Sequence, residues 1–130
     1  MILHAGDFVD KGLFDKLAST KKLTAVYGNM DSADIRRLIK DKEIVQAGKF
    51  RIGLIHGYGA PKDLMDTVRK EFPKIDAIVF GHSHTSVNVS IDGILFFNPG
   101  SPTDNIFAST NSYGILEVGE DAIEGKIITL

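Results

Sequence analysis

Over its first two thirds, the chain alternates short apolar runs with amphipathic stretches. Residues 2–5 predict a buried strand, and residues 11–19 a helix carrying Leu13, Phe14, Leu17 and Ala18 on one face. Residues 23–27 predict a second strand, and residues 32–40 a second helix with Ile35, Leu38 and Ile39 aligned. Residues 43–47 and 50–56 bracket Gly48-Lys49, the pattern of a hairpin. Pro61 suits the first turn of a helix whose buried stripe is Leu64, Met65, Val68 and Phe72, and residues 76–80 predict a further strand. The pattern then becomes all-β. Val87, Val89 and Ile91 alternate with polar residues, and Asp92-Gly93 supplies a tight turn into residues 94–97. Residues 98–111 predict a long polar loop, and residues 112–118 and 123–130 two closing strands. Strand–helix units followed by antiparallel strands imply a mixed α/β layered fold, read as one domain over residues 1–130.

Composition changes this picture little. Apolar residues make up 43% and charged residues 25%, as in an ordinary globular chain. A net charge of −2 gives no electrostatic footprint for nucleic acid or an anionic membrane. With no cysteine there is no disulfide scaffold, thiolate zinc site or cysteine nucleophile. The first residues lack the basic and apolar regions of a signal peptide, and no apolar run approaches the ~18 residues that span a bilayer. The expected location is cytoplasmic. Charge is unevenly spread: 14 of the 15 basic side chains precede Ile75, and no Lys or Arg lies between Lys74 and Lys126. An anionic substrate bound in that half would need neutralising by something other than a cationic side chain.

The chemistry gathers where the strands are expected to end: Gly6-Asp7, Gly28-Asn29, His56-Gly57 and Gly81-His82-Ser83-His84. Each interval between them is about one βα or βαβ unit, so each polar residue falls just beyond a strand's carboxyl end. In open α/β sheets those ends share one edge, where ligands bind. One carboxylate, one amide oxygen and three imidazoles meeting there suit manganese, iron, nickel or zinc rather than calcium or magnesium. Singly, Gly-Asp and Gly-Asn are ordinary turn dipeptides. His4 reads as structural and Asp31 as a helix cap with Asp34 three residues on, although both are candidates to support the ligands from behind.

The same residues carry a resemblance. Gly6-Asp7-Phe8-Val9-Asp10, Gly28-Asn29-Met30-Asp31, His56-Gly57 and Gly81-His82-Ser83-His84 resemble the ordered motifs of the calcineurin-like metallophosphoesterases. Asn98-Pro99-Gly100-Ser101 further resembles the small prokaryotic phosphodiesterase subgroup, which includes the retromer subunit of the same fold. The resemblance implies a two-layer mixed β-sandwich flanked by helices, with two metals about 3.5–4 Å apart that activate a water. By position, Asp7 would bridge both metals. Asn29, His56 and His82 would complete one shell, Asn29 also touching phosphate, and His84 would bind the other metal. Manganese is the first expectation, with nickel, iron or zinc as alternatives.

Two departures accompany it. The family begins on a strand ending in Asp-x-His, which would supply two ligands of the second metal, whereas these residues open on the next strand. The fold is therefore expected to be N-terminally truncated, with one complete metal site. The surface left by that strand–helix unit is expected to mediate self-association or to bind a protein partner. Met30, moreover, occupies the position where many members place a proton-donating histidine. The implied function is metal-dependent hydrolysis of small phosphate esters, as a phosphodiesterase or phosphatase. The alternatives are a non-catalytic interaction scaffold on the same fold, or an inactive shortened form of the enzyme.

Overall fold

Apolar runs on either side of Gly48-Lys49 and of Asp92-Gly93 fold back as hairpins, and a strand between them joins both into one sheet. The computed structural model describes all 130 residues. The first hairpin pairs β3 (Lys42–Ala47) with β4 (Phe50–Ile55), and the second pairs β6 (Val87–Ile91) with β7 (Ile94–Asn98). Asp92 and Gly93 have φ of 51° and 78°, the two left-handed positions that the tight turn requires. The linking strand, β5 (Ala77–Phe80), runs parallel to β4 and β7, giving the order β3-β4-β5-β7-β6. All four residues of β5 are buried, as expected for a parallel strand covered on both faces.

Alternation along these strands makes two cores. Ile52, Leu54, Ala77, Val79, Leu95 and Phe97 face one way, and Ile55, Ile78, Phe80, Ile94 and Phe96 the other. The second set packs on α3 (Leu64–Lys70) through Leu64 and Val68, with Phe72 just beyond the helix. Pro61 opens a single 3-10 turn, Pro61–Asp63, before α3 begins, and Met65 is only partly buried.

The first set is covered by a second β layer made of two ribbons. In one, β1 (Ile2–His4) pairs in parallel with β2 (Leu23–Ala25), and in the other β8 (Ser112–Val118) pairs antiparallel with β9 (Ile123–Thr129). Leu3 and Ala5 from one ribbon, and Leu116, Ile123 and Ile127 from the other, pack on the same core, but no ladder joins the ribbons. Outside β2 lie α1 (Lys11–Ser19) and α2 (Ala33–Arg36), which bury Phe14 and Ile35 against Phe8 and Ala25. The whole is the mixed, helix-flanked sandwich that the sequence implies. No helix is long and apolar enough to cross a membrane.

The helices depart from the sequence pattern. Leu13 and Ala18 are exposed because α1 rests on a layer only two short strands wide, which covers Phe14 and part of Leu17. The second helix ends at Arg36 rather than Lys40. Lys40 is drawn into a parallel bridge with Val26, its carbonyl accepting from Tyr27 N–H at 3.0 Å, so the chain extends early and leaves Leu38 exposed. In the second hairpin, Val89 and Ile91 are exposed because β6 forms the edge of its sheet. Asn98, assigned from sequence to the loop, is the fully buried last residue of β7.

Candidate functional site

Five strand ends meet at the site. The parallel pair β1 and β2 delivers Gly6-Asp7 and Gly28-Asn29, while β4, β5 and β7 deliver His56, Gly81-His82 and Asn98. Contact between the layers is intimate. His56 Nδ1 lies 2.7 Å from Ala5 O, and a Cβ on Gly28 would sit 2.2 Å from Asp7 Oδ1, so only glycine admits the carboxylate.

The backbone is bent to present these side chains. Asp7, Val9, His82 and His84 all adopt left-handed φ, of 60°, 64°, 68° and 57°. That conformation costs a non-glycine residue about 1–3 kcal/mol and persists only where the surroundings impose it. At Asp7 and Val9 the imposing group is Asp31, 5% exposed. Its carboxylate accepts from the N–H groups of Asp7 at 2.8 Å, Val9 at 3.0 Å and Gly28 at 2.8 Å, tying the first two loops together. The cap of α2 is instead Ser32, whose hydroxyl accepts from Ile35 N–H, so Asp31 is a loop anchor and not the expected helix cap. His4 packs against the first loop. Its ring stacks on Phe8 at 3.6 Å between centroids and its Nδ1 accepts from Gly6 N–H. Burial, only partly offset by Asp31 and Asp7, lowers its pKa to about 4 and keeps the ring neutral.

Asp7, Asn29 and His56 converge. With Nδ1–H donated to Ala5 O, a neutral His56 turns the lone pair of Nε2 toward Asn29 Oδ1 at 3.0 Å and Asp7 Oδ2 at 3.3 Å. Three electron-rich atoms facing one another call for a cation, either a proton or a metal. The titration follows: burial pulls the His56 pKa down, but the bonds to Asp7 and Ala5 O outweigh it and the net shift is upward. Burial pushes Asp7 up, and the His56 and Met30 N–H hydrogen bonds override that to hold it below the usual carboxylate range. In donor chemistry, this set fits a divalent transition metal.

The histidines of the β5 loop stand further off. The His82 ring lies 5.3 Å from that of His56, and its Nε2 hydrogen-bonds Gly59 O at 3.1 Å. His84 points Nδ1 at Asp104 Oδ2, 2.5 Å away. No three His, Asp or Glu side chains already surround one point as ion ligands.

Three supports escape sequence reasoning. Asn98 donates to Gly81 O at 2.9 Å and Ser83 Oγ at 3.2 Å, fixing the His82–His84 loop from behind. Arg36 donates to the carbonyls of Gly28, Asn29 and Asp31, holding the Gly-Asn loop. Asp104 holds His84. Arg36 and Asp104 carry no periodic or motif signal, because their partners are backbone atoms or a residue far along the chain. Asn98 stood in a quoted motif, without a role.

Comparison with known proteins identifies the family and the fold. The chain is 34% identical to a probable metallophosphoesterase of Methanocaldococcus jannaschii, aligning over all of this chain and 66% of that protein. It thus spans about two thirds of that relative's length. The solution structure of a Thermotoga maritima protein superposes with a TM-score of 0.74 at 32% identity, covering 98% of this chain and 79% of that one. Vps29 of Entamoeba histolytica, solved in complex with zinc, shares the fold with a TM-score of 0.72 at 20% identity, over 98% of this chain and 80% of its own. The profile of the calcineurin-like phosphoesterase superfamily domain matches residues 1–121, and the chain belongs to that superfamily.

Proposed function

We propose that the chain is a metal-dependent phosphoesterase, a phosphodiesterase or phosphatase that hydrolyses small phosphate esters. The observation that carries this reading is the convergence of Asp7 Oδ2, Asn29 Oδ1 and His56 Nε2 at the joined strand ends, a donor set that a divalent cation would satisfy. Asp7, Asn29, His56 and His82 would hold one divalent metal, and Asp7 with His84 a second, weaker one. Manganese is preferred, with nickel, iron or zinc as alternatives. When bound, the metal supplies a nucleophilic water and neutralises phosphoryl oxygens that no cationic side chain of the second half reaches.

The chain's own residues set the remaining terms. Asp7 is kept ionised, and the Ala5 carbonyl fixes His56 with Nε2 toward the site. Asn29 would also contact a phosphoryl oxygen of the bound ester. Met30, 65% exposed beside Asn29, has a thioether that cannot donate a proton, so the leaving group departs unassisted or takes a proton from water. Activated esters are therefore the better substrates. With Mn2+ or Ni2+, bis-p-nitrophenyl phosphate should be hydrolysed, and Asp7→Ala or His82→Ala should abolish turnover. Folded protein that is inert with every divalent metal would overturn the assignment.

A second reading, a protein-interaction module, draws on the split β layer. The β1 strand is paired on one side only and the β8–β9 hairpin pairs with no other strand, and such edges bind further strands. Self-association or a protein partner at this edge is compatible with either reading. Light scattering at micromolar concentration should show a mass above the 14.2 kDa of one chain. A clean monomer counts against self-association.

A further inference from the structure

The loop after β7 contains one carboxylate that belongs neither to the proposed ligand set nor to solvent. Asp104 is 10% exposed by side chain, although its loop has no regular secondary structure. One oxygen accepts from Ile106 N–H at 2.8 Å and Phe107 N–H at 3.1 Å. The other accepts from Ala108 N–H at 2.9 Å and lies 2.5 Å from His84 Nδ1. Both oxygens thus accept from backbone N–H groups, the pattern of an ionised carboxylate. A carboxylate only accepts, which obliges His84 to carry its proton on Nδ1. Nε2 is then the lone-pair nitrogen and has no hydrogen-bond partner in the structure. His84 meanwhile has a left-handed backbone at φ 57° and a side chain 33% exposed. Neither its own backbone preference nor burial would fix that ring.

We propose that Asp104 is a positioning residue for His84, setting its tautomer and orientation so that Nε2 is presented as a metal ligand. The loop of residues 99–111 is thereby part of the site, with the Asp104 carboxylate joining it to the β5 loop. This deepens the metal-site reading above and rests on it for the identity of the ligand, but not for the state of the imidazole.

Two measurements separate those dependences. The first needs no metal: 15N shifts of the His84 ring at neutral pH should report the Nδ1–H tautomer in the intact chain. Asp104→Ala should release it toward the Nε2–H form, and Asp104→Asn, which keeps an acceptor oxygen, should retain Nδ1–H. The second is calorimetric titration with Mn2+. Asp104→Ala should weaken the lower-affinity site roughly 10–100-fold while leaving the tighter one within about threefold, with Asp104→Asn recovering most of the loss. An unchanged His84 tautomer in Asp104→Ala would overturn the proposal. If the intact chain binds no metal while the tautomer responds as expected, the metal reading fails and the positioning of His84 stands.

Discussion

Asp31 shows how much of the site depends on one buried acceptor. Its carboxylate satisfies three backbone N–H groups that have no other partner, and two of them belong to residues held at left-handed φ. Asp31→Ala leaves these donors buried and unpaired, at about 1–3 kcal/mol for each group that water cannot reach. A loss of about 2–5 kcal/mol in urea unfolding is the expected outcome. Asp31→Asn, which retains acceptor oxygen, should lose less. Equal losses in the two variants would mean that both oxygens must accept, since an Asn amide turns an NH2 toward one of the donors. His4 makes a different prediction. Its pKa falls from 6.5 to about 4 on folding, so between those values the unfolded chain binds the extra proton. Stability is therefore full above about pH 6.5 and declines as pH falls toward 4, by on the order of 3 kcal/mol. His4→Asn, which keeps an acceptor for Gly6 N–H, should flatten that slope. The raised pKa of His56 acts in the opposite sense in the metal-free protein, its contribution fading as pH rises through the folded value.

At the scale of elements, the sequence was most legible where one period dominates. The strand β5, and β4 and β7 over most of their length, are apolar on both faces and could be read directly, as could the two hairpin turns. The second helix could not be read to its end, because the Lys40 bridge to Val26 competes with helix continuation and leaves no local trace. The same limit applies to the site. Glycine next to a polar residue marked Asp7, Asn29, His56 and His82 as strand-end groups, whereas Asp104 and Arg36 act across sequence gaps that no pattern spans. Gly53 tests how tightly these elements fit. A Cβ there would lie 2.9 Å from the Phe72 ring, so β4 and the segment after α3 touch only because the residue is glycine. Gly53→Ala should destabilise by about 1–3 kcal/mol, as overpacking of a filled core does. Combining it with Phe72→Leu should recover part of the loss rather than add to it. Additive effects in that double-mutant cycle would show that the ring moves aside freely.

For the whole molecule, the decisive feature is that the proposed ligands come from different layers. Asp7 and Asn29 follow β1 and β2, while His56, His82 and His84 follow strands of the five-stranded sheet. The link seen between the layers at this point consists of the His56 bonds to Ala5, Asn29 and Asp7. A metal held by this set would therefore act as a clasp on the fold as well as a reagent. The β1–β2 ribbon, which has no ladder to the β8–β9 ribbon, would gain a further tie to the five-stranded sheet. Because a metal that binds only the folded state stabilises it by mass action, Mn2+ at a hundred times its dissociation constant should add about 2.7 kcal/mol. In a domain of this size that raises the melting temperature by roughly 5–15 °C, and a chelator should reverse it. Asp7→Ala should remove the metal-dependent increment and lower the metal-free melting temperature less than Asp31→Ala does, because Asp7 accepts one loop N–H where Asp31 accepts three. An increment that survives Asp7→Ala would place the stabilising metal away from these strand ends. Loss of both the increment and the metal-free fold would instead assign Asp7 a structural role as large as that of Asp31. Only the selective loss fits a carboxylate whose place in the fold is to receive an ion.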